Sequence, residues 1–104
     1  MTAPRMRDVR MVIIHRPGPK WQHGLAIPEQ PGVEAHVEHY RRVFESGKLE
    51  LGGPFLDEGG GGMMVPVADL GEDEIRAIAA SDPSVAAGLV TYEIRPWLIG
   101  MRRA

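Results

Sequence analysis

The chain has 104 residues, an apolar fraction of 43% and a formal net charge of −2. The length is typical of one domain, the apolar content excludes a disordered chain, and the near-balanced charge argues against nucleic acid or an anionic membrane as a partner. Since there is no cysteine and no apolar run near the ~20 residues of a membrane span, we expect a single cytoplasmic domain over residues 1–104, without thiol chemistry.

The first elements of the chain are a predicted strand and a proline-rich loop. Val9–Ile14 is short, rich in β-branched residues and apolar at both alternating positions, which predicts a strand buried on both faces. Residues 17–32 contain four prolines that restrict the backbone, so we expect a loop, and it carries Trp21 and His23. Trp21 either closes over a pocket or pins this loop to the domain, and pinning is the simpler interpretation.

A helix is predicted from Val33 to Ser46, ended by Gly47, and it turns one histidine toward its apolar face. The apolar arc of this helix contains Val33, Val37, Tyr40, Val43 and Phe44. His36 falls inside that arc, whereas the opposite side is charged, with Glu34, Glu38, Arg41, Arg42 and Glu45. A buried imidazole needs a partner, which is either a structural hydrogen bond or a carboxylate that orients the ring as a general base. The candidate carboxylates are Asp82 and Asp57, and the residues alone leave both interpretations open.

Three more strands are predicted in the second half of the chain. Leu49–Gly53 and Met63–Val67 are apolar runs separated by a turn at Asp57–Gly61. The last strand is the longest, Leu89–Leu98, and Pro96 near its end suits an edge strand.

Two helical segments lie between the third strand and the last. The first is predicted to begin at Asp69, with Glu72 completing a capping box, and its buried stripe is Ile75, Ile78 and Ala79. The second is one short turn that Asp82 caps and that Pro83 begins.

The resulting order βαββαβ leaves one face of the sheet uncovered. Two helices cover only one face of a four-stranded sheet, yet the first and third strands are apolar on both faces. No residues remain to cover the second face. We therefore expect a homodimer that packs sheet against sheet.

Three further patterns favour structural interpretations. His36 and His39 are neighbours on the helix surface, but no other ligands have zinc-like spacing, so we expect no metal site. The glycine run Gly59–Gly62 joins two strands and lacks the Lys–Ser/Thr pair of a phosphate loop, which indicates a hairpin turn. Basic residues near both ends of the chain are expected to be solvated, namely Arg5, Arg7, Arg10, Arg102 and Arg103.

Several motifs occur in a fixed order from the helix onward. His36 lies eleven residues before Gly47, and then follow GKLELGGPFLD (47–57), the glycine turn, DPSVAAGL (82–89) and YEIRPW (92–97). Together these motifs resemble the YCII-related (YciI-like) family over residues 33–97, and the first strand matches more loosely. The loop at 17–32 departs from the simpler family pattern, because it is long and rich in proline.

The resemblance implies an α+β fold, a ferredoxin-like βαββαβ unit with a four-stranded antiparallel sheet that dimerises as an α+β barrel. It also implies an active-site pair formed by a helix histidine and the aspartate of the DP motif, which are His36 and Asp82 here. Most members of the family have no established reaction. One branch eliminates hydrogen chloride from a chlorinated hydroxyquinol, and wider relatives of the fold include muconolactone isomerases and cofactor-free monooxygenases.

These observations lead to two hypotheses about function. The first is a cofactor-independent enzyme, lyase- or isomerase-like, that acts on a small aromatic molecule with His36 as general base and Asp82 orienting it. Gly53, Pro54 and Asp57 would shape the rim of its pocket, and no metal or cofactor is expected. The second is a non-catalytic dimeric module that binds a small ligand or serves in an assembly, with His36 as a satisfied core residue.

Overall fold

The computed structural model describes residues 8–103 and contains one four-stranded antiparallel sheet. The strands are β1 Val9–Pro17, β2 Leu49–Pro54, β3 Gly62–Pro66 and β4 Val90–Leu98. The helices are α1 Val33–Glu45, α2 Glu72–Ala80 and the four-residue α3 Pro83–Ala86, and a 3-10 turn lies at Ile27–Glu29. The strand order is β2-β3-β1-β4, with every neighbour antiparallel. This order confirms the predicted ferredoxin-like α+β fold, and it places β4, with Pro96, at one edge.

The core lies between the helices and one face of the sheet. Ile13 and Met64, which pair across β1 and β3, pack with buried side chains of both long helices: Tyr40, Val43, Ile75 and Ala79. Because side chains alternate along a strand, His15 shares this face with Ile13. The strand thereby carries an imidazole directly under the helices.

The opposite face of the sheet is buried at its centre and carries both apolar and charged side chains at its sides, where Arg95 pairs with Val12. Val12 and Val65 are each only 3% exposed there, as the apolar pattern of β1 and β3 predicts. On either side, Leu51 is 56% exposed and Trp97 is 44% exposed. This face therefore keeps large apolar side chains in contact with solvent.

The second helix begins later than predicted. It starts at Glu72 with Gly71 as its N-cap, and no side chain caps it, so the predicted capping box of Asp69 and Glu72 is wrong. Leu70 N–H bonds to the Val67 carbonyl, which keeps Asp69 in a turn before the helix. The acidic first turn, Glu72, Asp73 and Glu74, still favours the helix electrostatically.

The buried stripe of α1 is displaced toward the His36 side of the predicted apolar arc. Tyr40 and Val43 are buried, whereas Val37 is 49% exposed and Phe44 is 57% exposed. Val37 and Phe44 are exposed because they line the cavity described below rather than the core.

Arg10 corrects one prediction about the basic ends. It is 4% exposed and donates to Asp8, Glu50 and the Pro66 carbonyl, so it is a buried ion-pair residue rather than a solvated one. Arg102 and Arg103 are exposed, whereas Arg5 and Arg7 lie outside the described residues. None of the helices in residues 8–103 combines the length and apolar character needed to cross a membrane.

Candidate active site

A cavity of about 560 Å³ lies beside α1, along β2 and against the loop before α1. Its walls are mostly apolar, and the helix contributes Val33, His36, Val37, Tyr40 and Phe44. Clefts of this size and character are typical of small-molecule sites. The cavity thus places the one histidine of the predicted apolar arc where a ligand can reach it.

His36 and Asp82 are in direct contact at this cavity. His36 Nδ1 lies 2.6 Å from Asp82 Oδ2, across 46 residues of chain. The Asp82 carboxylate is fully buried, and the His36 side chain is 17% exposed. The other candidate partner, Asp57, lies in the exposed β2–β3 loop, where its carboxylate accepts from Gly59 N–H.

The second oxygen of Asp82 is held by α3. Oδ1 accepts from Ser84 N–H at 2.9 Å and from Ser84 Oγ at 2.8 Å, so Asp82 is the predicted N-cap of this short helix. Ser84 Oγ also lies 3.2 Å from His36 Nδ1. Ser84 is 1% exposed, and its hydroxyl donates a hydrogen bond to Asp82. It therefore stabilises the carboxylate and is not placed as a nucleophile.

Asp82 remains ionised despite its burial. Burial alone would raise the pKa of its carboxyl, but the hydrogen bond and charge of His36 and the two hydrogen bonds from Ser84 outweigh it, so the pKa is lowered. An ionised carboxylate only accepts hydrogen bonds, so His36 carries its proton on Nδ1. In the neutral form of His36, the other ring nitrogen, Nε2, presents a lone pair, which is what a general base requires.

A second imidazole lies beside this pair. His15 is 1% exposed, and its ring centroid is 5.1 Å from that of His36, edge to face. His15 Nδ1 must donate to the Thr91 carbonyl at 3.0 Å, so Nε2 accepts from the Tyr40 hydroxyl at 2.8 Å. Burial lowers the pKa of His15, which favours this neutral form.

Tyr40 completes the cluster of three rings. Burial and the nearby charge of Asp82 raise the pKa of its phenol, so Tyr40 stays protonated. Its ring centroid lies 5.2 Å from that of His36. The rings of Tyr40 and His15 thus pack against the ring of His36. The hydrogen bond to Asp82 fixes the rotation of the His36 ring.

His15, His36 and Asp82 are one group whose ligand atoms lie within 4.8 Å of one another. Two atoms bound to the same tetrahedral zinc, each about 2.0–2.1 Å from it, are separated by roughly 3.3 Å. The 2.6 Å between His36 Nδ1 and Asp82 Oδ2 is shorter and matches a charge-assisted hydrogen bond. The arrangement fits an imidazole–carboxylate pair better than a metal centre. His39, the other candidate ligand, bonds instead to the Ile78 carbonyl.

The loop before α1 forms one wall of the cavity. Trp21 lines the cavity and also packs against the buried cluster of Val33, Leu89 and Val90, so it pins the loop and borders the pocket at once. Gln30, 2% exposed, clamps the loop: its amide accepts from Gln22 N–H and donates to the Gln22 and Leu25 carbonyls. His23 is exposed and does not line this cavity.

The residues predicted for the rim divide into two groups. Gly53 and Pro54 at the end of β2 line the cavity, but Asp57 does not. The glycine run forms the predicted hairpin, closed by Phe55 N–H to the Gly61 carbonyl. Gly61 and Gly62 reach the same cavity wall, while Gly60 lies against Trp21.

Comparison with known proteins agrees with this fold. Residues 9–98 match the YCII-related domain. The chain belongs to the YCII-related family. No curated protein sequence matches it significantly.

A solved structure of similar fold is 5-chloro-2-hydroxyhydroquinone dehydrochlorinase (TftG) from Burkholderia phenoliruptrix AC1100, in complex with 2,5-dihydroxybenzoquinone. The similarity has a TM-score of 0.57 and 21% sequence identity, and it covers 84% of this chain and 93% of that one. At this identity, the likeness supports the fold of this YCII-related protein.

Three residues of the cluster were not predicted from the sequence as site residues. His15 continues the alternation of Met11 and Ile13, but the predicted strand ends at Ile14, three residues before the observed end at Pro17. Tyr40 belongs to the predicted apolar arc through its ring, and the sequence gives no sign that its hydroxyl bonds His15. Ser84 follows Asp82 by two residues, which is the spacing of an N-cap contact.

Proposed function

We propose that this protein is a cofactor-independent enzyme that removes a proton from a small, planar, largely apolar molecule. The observation that carries the proposal is the 2.6 Å contact between His36 Nδ1 and Asp82 Oδ2 at the wall of a 560 Å³ cavity. The pair has the geometry of a general base with its orienting carboxylate, and apolar walls favour an apolar ligand body.

The proposed chemistry begins at Nε2 of His36. This nitrogen takes a proton from substrate carbon or oxygen, and the buried carboxylate of Asp82 stabilises the imidazolium that forms. If a leaving group departs from the adjacent carbon, the reaction is a lyase elimination. If the imidazolium returns the proton to another atom, it is an isomerisation. The name of the dehydrochlorinase of similar fold describes a reaction of the first kind.

Solvent exchange tests the proposal without knowledge of the substrate. A panel of small phenolic and enolisable compounds is incubated with the protein in D2O, and loss of C–H signals is followed by proton NMR. We expect catalysed exchange of at least one compound, and we expect His36→Asn to slow it by at least about 10²-fold. His39→Asn is the matched control, because His39 lies on the same helix, its hydrogen bond is to a backbone carbonyl, and its ring contacts Tyr40 rather than His36.

The alternative is a non-catalytic module that binds a small ligand or serves in an assembly. Its support is that every buried side-chain polar atom among the described residues has a hydrogen-bond partner. Exchange that is absent across the panel, or equal in wild type and His36→Asn, would favour this alternative over the enzyme.

We further propose that two copies of the chain pack through the uncovered face of the sheet. The half-exposed Leu51 and Trp97 on either side of Val12 and Val65 support a partner of matching apolar character. Sedimentation velocity should detect a dimer at micromolar concentration that Trp97→Lys dissociates. Leu56→Lys is the control, since Leu56 is 88% exposed in the β2–β3 loop. A monomeric wild type would contradict the proposal.

A further inference from the structure

The residues that line the cavity of His36 also include an arginine. Arg41 lies on the charged side of α1 in the sequence pattern, yet it is one of the residues that line the cavity. Its side chain is 57% exposed, whereas that of His36 is 17% exposed. Arg41 is therefore the more solvent-exposed of the two side chains.

Apolar side chains occupy the wall between the two polar groups. His36 and Arg41 are five residues apart on one helix, which is about 7.5 Å along its axis and roughly 140° around it. Val37 and Phe44 of the same helix line the cavity in this region, and Trp21 contributes from the loop. A single substituted benzene ring spans such a separation with its faces against apolar groups.

The one acidic residue among the described residues that line the cavity, Glu50, is already neutralised. Its Oε1 accepts from Arg10 Nη1 at 2.7 Å, and its Oε2 lies 3.8 Å from Arg102. Arg10 and Arg102 are also within salt-bridge distance of Asp8, so two guanidinium groups face two carboxylates. This balanced cluster leaves Glu50 with little charge to repel an anionic ligand or attract a cationic one.

Arg41 lacks such a balance. Its Nε lies 3.3 Å from Glu38 Oε1, while the other oxygen of Glu38 lies 3.6 Å from Arg42 Nε. One carboxylate thus serves two guanidinium groups, and both separations exceed the 2.7–2.9 Å typical of a strong charge-assisted hydrogen bond. A ligand carboxylate can compete for Arg41 by making a shorter, bidentate contact.

We propose that the ligand of this cavity is a small aromatic acid. Its carboxylate pairs with Arg41, its ring lies against the apolar wall, and an O–H or acidic C–H at the far end faces Nε2 of His36. This assignment rests on the proposed function and deepens it, because it names the chemical class of substrate for the same site. It is also a statement about binding, so it can be tested without turnover.

The test compares two probes of the same shape and different charge. Calorimetric titration, supported by quenching of Trp21 fluorescence in a Trp97→Phe background, measures the affinity for 4-hydroxybenzoate and for its neutral amide, 4-hydroxybenzamide. We expect the acid to bind roughly tenfold more tightly, a difference of about 1.4 kcal/mol. In Arg41→Gln the two affinities should become equal.

Arg42→Gln is the matched control for charge on the same helix. Arg42 shares Glu38 with Arg41, but its side chain is 75% exposed and does not line the cavity. It should keep the preference for the acid. Equal affinity of the wild type for the two probes, no binding of either at millimolar concentration, or an equal loss of preference in both arginine variants overturns the assignment. If the preference is found but no compound undergoes exchange at His36, the proposed catalysis fails and the ligand class stands.

Discussion

Replacing Asp82 by asparagine is expected to abolish turnover while the protein stays folded. Asparagine is isosteric and also caps helices well, so its oxygen can keep both contacts with Ser84. Its NH2 group would face Nδ1 of His36 and can only donate. The neutral imidazole must then carry its proton on Nε2, and the lone pair on that nitrogen is lost. We expect activity to fall on the order of 10⁴-fold, the scale observed when a catalytic histidine is held in the wrong tautomer.

The tautomer itself can be measured before any substrate is known. Long-range 1H–15N NMR of the imidazole side chains should show His36 protonated on Nδ1 in the wild type and on Nε2 in Asp82→Asn. Asp57→Asn is the control, because it removes the other candidate carboxylate, which contacts the backbone of its own loop. A wild-type His36 protonated on Nε2, or a tautomer that Asp82→Asn leaves unchanged, would be incompatible with the proposed role of the pair.

The largest expected effect on stability is that of Gly61→Ala. Gly61 has a φ of +78°, and an added Cβ would lie 2.1 Å from the carbonyl oxygen of His15. Residues other than glycine are strained at this φ. The added Cβ would also clash with a backbone atom, which cannot rotate away as a side chain can. We expect the free energy of unfolding to fall by more than about 2 kcal/mol, as measured by urea denaturation.

Gly24→Ala separates the two causes of that loss. Gly24 has a similar φ of +89°, but no atom lies within 4 Å of an added Cβ. Its substitution should cost only the conformational strain, about 1 kcal/mol. Equal losses at the two positions would mean that the close approach of Gly61 to β1 contributes nothing.

The order of elements was predictable because their local signals are strong. Alternation and β-branching mark β1, and the spacing of Val33, Tyr40 and Val43 marks α1. The start of α2 was not, because Asp69 with Glu72 fits a capping box as well as the true N-cap, Gly71, fits a helix start. Local sequence cannot decide between two competing caps when a turn such as that at Val67–Leu70 determines where the chain enters the helix.

The candidate site was predictable only in part, for a similar reason. Family spacing linked His36 to Asp82, and the two residues meet in the folded chain. The sequence pattern reveals neither the ion-pair partners of Arg10, which was expected to be solvated, nor the cavity beside Arg41, because both are created by tertiary structure. A position on a helical wheel shows whether a residue faces the core or the solvent. It cannot show that the residue lines a cavity, which belongs to neither.

The two oxygens of Asp82 have different partners, which affects how sequences of homologous proteins should be compared. One oxygen caps helix α3 and the other bonds His36, so under the proposed function selection on this aspartate would act through folding as well as through chemistry. A descendant that abandoned catalysis would still keep the aspartate for its helix, whereas the histidine would be free to drift. Among homologues, retention of His36 rather than Asp82 is therefore the informative marker of an active lineage.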